Sequence, residues 1–125
     1  MSRAFIFPGQ GSQFIGMGKD LADAFTEAKE VFQEVDDALS QKLSKIMFEG
    51  PEDQLNLTEN TQPALMAVSM AVVKILRKQG GIKFENTCAF MAGHSLGEYS
   101  ALTAAGSLDL GVTAKLLRTR GKAMQ

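Results

Sequence analysis

Thr87-Cys88-Ala89-Phe90-Met91-Ala92-Gly93-His94-Ser95-Leu96-Gly97-Glu98-Tyr99-Ser100-Ala101 is the stretch that decides the fold. Cys88 to Ala92 is a short apolar run, bounded as a buried strand is. Gly93-His94-Ser95-Leu96-Gly97 then fits the pattern G-x-S-x-G. From Leu96 onward, Tyr99, Ala101, Leu102, Ala104 and Ala105 predict a helix rich in small residues. Strand, sharp turn and helix in that order make a nucleophile elbow, with Ser95 as the nucleophile. Gly93 and Gly97 flank the serine at two residues on either side, where the turn leaves no room for a Cβ. A helix starting at Leu96 aims its free N–H groups and positive dipole end at the serine. The Leu96 N–H is then one donor for an oxyanion formed on a substrate carbonyl. A bare G-x-S-x-G is also found in ordinary glycine-rich turns; the strand before it and the helix after it favour the nucleophile.

His94 is the one histidine of the chain and adjoins Ser95. Serine nucleophiles usually take a histidine as base. Neighbouring residues at a strand end point to opposite sides, however. His94 is therefore expected to face away from the Ser95 hydroxyl and to serve packing or hydrogen bonding.

The 125 residues amount to one domain at most. Thirteen Lys and Arg against fourteen Asp and Glu give a net charge of −1, which points to no nucleic-acid partner. Cys88, the single cysteine, excludes a disulfide framework and fits a reducing compartment; it is expected to act as a small buried hydrophobe. No Cys and His cluster suggests a metal site. The longest apolar stretch, Ala64 to Val73, is too short to span a membrane, and Ala4 to Phe7 is too short for a signal-peptide core. A cytoplasmic protein without membrane contact is expected.

Ala4-Phe5-Ile6-Phe7 reads as a central strand of a covered parallel sheet. It runs into Pro8-Gly9-Gln10-Gly11-Ser12-Gln13, a loop at the strand's carboxyl end, where open α/β sheets place ligands. The loop lacks the Gly-Lys-Ser/Thr ending of a P-loop, and Gly9, Gly11 and Gly16 have the wrong spacing for a dinucleotide fingerprint. Gln10 and Gln13 can donate and accept hydrogen bonds without charge. Met17 to Ala24 predicts a short helix, and Thr26 the cap of a longer one with an apolar face of Val31, Phe32, Val35, Ala38 and Leu39. Glu30, Glu34, Asp36, Asp37 and Lys42 read as its solvated face. Helical turns follow at Leu43 to Phe48 and up to Leu55. Thr58 to Pro63 is a polar lead-in, with Pro63 in the first turn of a helix, Ala64 to Leu76, buried against the sheet. Gly80-Gly81 ends that helix, and Gly106 ends the one after the elbow. The last helix runs from Leu110 to Gln125, with Val112, Leu116 and Leu117 on one face. Arg118, Arg120 and Lys122 cluster near its end, either as a solvated, dipole-favoured turn or as an anion site.

Four stretches together carry a family resemblance: Phe7-Pro8-Gly9-Gln10-Gly11-Ser12-Gln13, Thr61-Gln62-Pro63-Ala64-Leu65, Gly93-His94-Ser95-Leu96-Gly97-Glu98 and Arg120-Gly121-Lys122-Ala123-Met124-Gln125. In order and spacing the chain resembles the malonyl-CoA:acyl-carrier-protein transacylases of type II fatty-acid synthesis, also present as acyltransferase domains of polyketide synthases. The resemblance implies an α/β fold, a three-layer, mostly parallel sheet with a nucleophile elbow. It implies transfer of malonyl from malonyl-CoA to Ser95, then to the phosphopantetheine thiol of acyl carrier protein. Gln10 and Leu96 would supply the oxyanion-hole N–H groups, Arg120 would pair with the malonyl carboxylate, and Gln62 would orient groups nearby. No cofactor is implied, the CoA thioester being a substrate.

Family members are considerably longer. They carry a catalytic histidine far downstream and a ferredoxin-like subdomain inserted after the arginine helix. On this reading residues 1–125 are the N-terminal part of the large subdomain, with the small subdomain and the C-terminal part absent. A complementary polypeptide or self-association would then complete the sheet and the site. The alternatives are an inactive fragment or scaffold, since Ser95 without its base is an ordinary alcohol, and a generic serine hydrolase of patatin-like type.

Overall fold

A computed structural model describes residues 3–7, 9–78, 88–93, 97–104, 106 and 108–124; for the two strands and Glu98 the description is of the backbone. Strand β1 (Arg3–Phe7) is followed by five helices: α1 (Lys19–Ala24), α2 (Thr26–Leu39), α3 (Leu43–Glu49), α4 (Glu52–Leu55) and α5 (Thr58–Lys78). Strand β2 (Cys88–Gly93) leads to α6 (Gly97–Ala104) and α7 (Leu110–Met124). The strands pair in parallel, with Arg3 opposite Cys88 and Phe7 opposite Gly93. A parallel pair needs a crossover connection, and here helices α1 to α5 lie within it. Both strands that the sequence predicted are thus present, and they pair with each other in parallel. The predicted end of α5 at Gly80-Gly81 and the approach through Ile82 to Asn86 lie outside the described residues.

Helix α5 packs against α2 and α7, and α6 lies against both strands and α5. The sequence predicted burial of α5 against the sheet; its main neighbours are helices instead. Their shared core holds Val31, Phe32 and Val35 of α2, Leu65, Met66 and Met70 of α5, and Ala114 and Leu117 of α7, with Leu43, Met47 and Leu55 closing one end. Met66 and Met70 fill this core, as their place in an apolar helix predicts.

Several local expectations are corrected. Thr26 is the first residue of α2 rather than its cap; Phe25, in extended conformation, holds the cap position and offers no side-chain oxygen. Asp36 is not simply solvated: its carboxylate accepts from the Ser44 N–H at 3.0 Å and from the Ser44 hydroxyl, tying α2 to α3. On α7, Val112 and Leu116 are exposed, and the inward residues are Thr113, Ala114, Leu117 and Gly121. Two apolar stripes lie side by side on that helix. The buried one contains a threonine and a glycine, which hydropathy alone does not select. The largest correction concerns α5. Its first i→i−4 bond runs from the Thr61 N–H to the Leu57 carbonyl, at 2.8 Å. The helix therefore starts a turn earlier than predicted, and Pro63 stands inside it.

Candidate functional site

Strand β2 ends on Gly93 and α6 begins on Gly97, which is buried. That is the strand–turn–helix frame of an elbow, with three residues left for the turn. Those three, His94, Ser95 and Leu96, lie outside the described residues. So do the predicted orientation of His94 and the predicted oxyanion donor at Leu96.

The loop after β1 is organised by Gln13. The Gly11 N–H donates to Gln13 Oε1 at 2.8 Å, and Gln13 Nε2 donates to Asn56 Oδ1 at 3.1 Å. One end of this amide serves the loop itself, and the other ties the loop to the turn between α4 and α5. Gln10 is exposed, and its Nε2 donates to Thr58 Oγ1 at 3.3 Å, on the first turn of α5. The bond sets Gln10 beside the N-terminal end of α5.

One turn further along α5 from Thr58 comes Gln62, which is fully buried. Its Oε1 accepts from Arg120 Nη1 at 2.8 Å, and its Nε2 donates to the Met124 thioether at 3.1 Å. The chemistry of the partners fixes the amide's orientation. Guanidinium only donates, and a thioether only accepts. Arg120 and Met124 are one turn apart on α7, so a single glutamine engages both. The Arg120 guanidinium also lies over the Tyr99 ring of α6, 5.6 Å from its centroid, within the range of a cation–π contact. Tyr99 follows Ser95 by four residues in the sequence.

Arg118 is bound differently. Its Nε donates to the Glu59 carbonyl at 2.8 Å, and its Nη2 donates to Asn60 Oδ1 at 3.2 Å and to Gln41 Oε1. Burial pulls its pKa below the usual arginine value, and the charge of Glu59 opposes that shift. Directly after Arg120, Gly121 is buried against the first turn of α5. A Cβ there would come within 2.5 Å of Glu59 Cα and 2.7 Å of the Thr58 carbonyl oxygen.

Gln10, Gln62 and Arg120 are thus brought to one end of α5, through Thr58 and Gln62 on the same face of that helix. Asn60 and Thr61, also buried, bond back to carbonyls of the preceding turns: Asn60 Nδ2 to Gln54 at 2.8 Å, and Thr61 Oγ1 to Leu57 at 3.0 Å. Sequence reasoning did not single out Tyr99 or Met124 as site residues. The available signal was spacing: four residues after Ser95 for the first, four after Arg120 for the second. A cavity of about 410 Å³, lined by Val73, Arg77, Thr103 and Leu110, lies at the opposite end of α5 and is separate from this cluster. Among the described residues no helix is long and apolar enough to cross a membrane, and no group of three or more His, Cys, Asp or Glu is placed to hold a metal.

The profile of the acyl transferase domain family matches residues 4–125. A malonyl CoA-acyl carrier protein transacylase of Bacillus subtilis is 52% identical over 97% of this chain and 37% of its own length. The crystal structure of an acyl-carrier-protein S-malonyltransferase from Bartonella henselae superposes with a TM-score of 0.97 at 64% identity, over 100% of this chain and 40% of that one. A malonyl-transacylase solved in complex with its type II polyketide acyl carrier protein superposes at 0.92 with 46% identity, over 100% of this chain and 39% of that one. The chain therefore spans about two fifths of the length of these relatives.

Proposed function

Because the chain belongs to the acyl transferase domain family, we propose that it carries the nucleophile, the oxyanion hole and the acid-recognising arginine of a malonyl-CoA:acyl-carrier-protein transacylase. In this reading the Ser95 hydroxyl attacks the malonyl thioester carbonyl. The oxyanion of the tetrahedral adduct is held by the N–H groups of Gln10 and Leu96. CoA leaves as its thiol and malonyl-Ser95 remains. The phosphopantetheine thiol of acyl carrier protein then attacks that ester, regenerating Ser95. A complex of one relative with its carrier protein supports this acceptor. No cofactor is required. The general base comes from outside these 125 residues, and the greater length of the relatives supports that source. The remaining length would also supply the rest of a three-layer, mostly parallel sheet and the small subdomain. A cytoplasmic location belongs to the same reading.

The observation that carries the proposal is the setting of Arg120. Its guanidinium is oriented by the Gln62 amide at 2.8 Å and by the Tyr99 face, on the helix that the elbow frame launches. A planar fork of donors held in place suits the two oxygens of a carboxylate, which an acyl group without one does not offer.

The test is an Arg120→Ala change in a polypeptide carrying this chain at the full length of its relatives, with malonyl-CoA and acetyl-CoA compared. Malonyl transfer is expected to fall about a hundredfold, equivalent to about 2.7 kcal/mol. Acetyl transfer should change little, and Ser95→Ala should abolish both. Equal losses for the two acyl groups in Arg120→Ala would remove the carboxylate role.

A further inference from the structure

Pro63 has no N–H, so it cannot make the i→i−4 bond to the Glu59 carbonyl that every other residue at this point of a helix would make. The structure fills that gap from another helix. Arg118 Nε reaches the Glu59 carbonyl at 2.8 Å, and the other edge of the same guanidinium binds Asn60 Oδ1 and Gln41 Oε1. Gln41 in turn donates from its Nε2 to Asn60 Oδ1 at 3.5 Å, closing the group. Three residues along α7 from Arg118, Gly121 lies so close to Glu59 that no side chain fits. The two helices are therefore locked at one place by a charge-assisted bond and a backbone contact. Arg120 lies between these two fixed points in sequence.

We propose that Arg118 is the positioning residue for Arg120: by taking the carbonyl that Pro63 leaves over, it fixes the height and rotation of α7 on α5, so that the Arg120 guanidinium meets the Gln62 amide. Arg118 itself does not bind the acid. Its donors are turned to carbonyl and amide oxygens, whereas the neighbouring arginine faces Gln62 and Tyr99. Spacing alone left Arg118 and Arg120 as one basic cluster, and the resemblance gave a role to Arg120 only; the partners of Arg118 give it separate work. The catalytic value of this device rests on the carboxylate role proposed for Arg120, but the positioning itself does not.

The test is made without substrate, on a polypeptide carrying this chain at the full length of its relatives. Solvent exchange of the Gln62 side-chain amide and Arg120 guanidinium protons is followed by NMR, alongside the melting temperature. Arg118→Lys keeps the charge but cannot place coplanar donors on Glu59, Asn60 and Gln41 together. It is expected to speed exchange at Gln62 and Arg120 by about tenfold or more, well below the melting temperature. A purely structural Arg118 would lower the melting temperature and leave that exchange unchanged, which would overturn the proposal. A second arm uses Pro63→Ala, which returns an amide donor to the Glu59 carbonyl. Arg118→Met should then lower the melting temperature by roughly half, or less, of its loss in the Pro63 chain. Equal losses in both backgrounds would also overturn the assignment. Loss of malonyl selectivity is not measured in either arm, so failure of the Arg120 reading and failure of this one are told apart.

Discussion

Gln62 does two jobs with one amide, and its burial makes both necessary. The carbonyl end holds a guanidinium and the amino end holds a thioether. A hydrogen bond to a charged group is worth about 1.5–3 kcal/mol. Gln62→Leu keeps the volume and removes both bonds. It should lower kcat/KM for malonyl-CoA by about tenfold to a hundredfold, and lower that for acetyl-CoA much less. Comparing the two substrates checks this, since a general loss of packing would reduce both together. Motif and family resemblance picked out Gln10, Gln62, Ser95 and Arg120. The part played by Arg118 was not legible. Two residues two positions apart on a helix point about 200° away from each other, and only the rotation of α7 on α5 says which one meets which partner. That rotation is a tertiary fact.

Among the elements, α7 and α5 show how a glycine can matter inside a helix. Gly121 costs about 1 kcal/mol of helix propensity relative to alanine. It is retained against the backbone of Glu59 and Thr58, where a Cβ would sit at 2.5–2.7 Å. Backbone atoms cannot swing aside as a side-chain tip can. Gly121→Ala is therefore expected to destabilise the chain, by about 1–3 kcal/mol as overpacked sites do, despite the better propensity. Equilibrium urea unfolding measures it. A gain in stability would show that the helices separate freely. Element types were largely readable in the sequence, because apolar periodicity sets them. The start of α5 was not. A proline near a polar lead-in usually marks the first turn, and here a side chain from another helix supplies the donor that lets the helix start earlier. The buried stripe of α7 was missed for a related reason: Thr113 satisfies its own hydroxyl on the Asp109 carbonyl at 2.8 Å, and Gly121 has no side chain to score.

For the molecule as a whole, stability lies in the helical core; the ion pair of Lys74 with Glu30 at 3.0 Å is half in solvent and so worth little. The strands contribute differently. Arg3 pairs with Cys88, so β1 finds its partner only across the whole α1 to α5 segment. Closing so long a stretch costs chain entropy before any pairing returns it, whereas the contacts of α2 with α3 and α4 with α5 are local. Local contacts form early and distant ones late. Pulse-labelled hydrogen exchange during refolding should protect the amides of α2 and α5 before those of β1; simultaneous protection would refute this order. On the ribosome the same arithmetic becomes a waiting time. The first strand emerges with its hydrogen-bonding edge bare, and five helices must be synthesised before the strand that covers it exists. At about 5–20 residues per second, that edge stays open for several seconds of every round of synthesis, and the nascent chain is then most exposed to sticking and most in need of a chaperone.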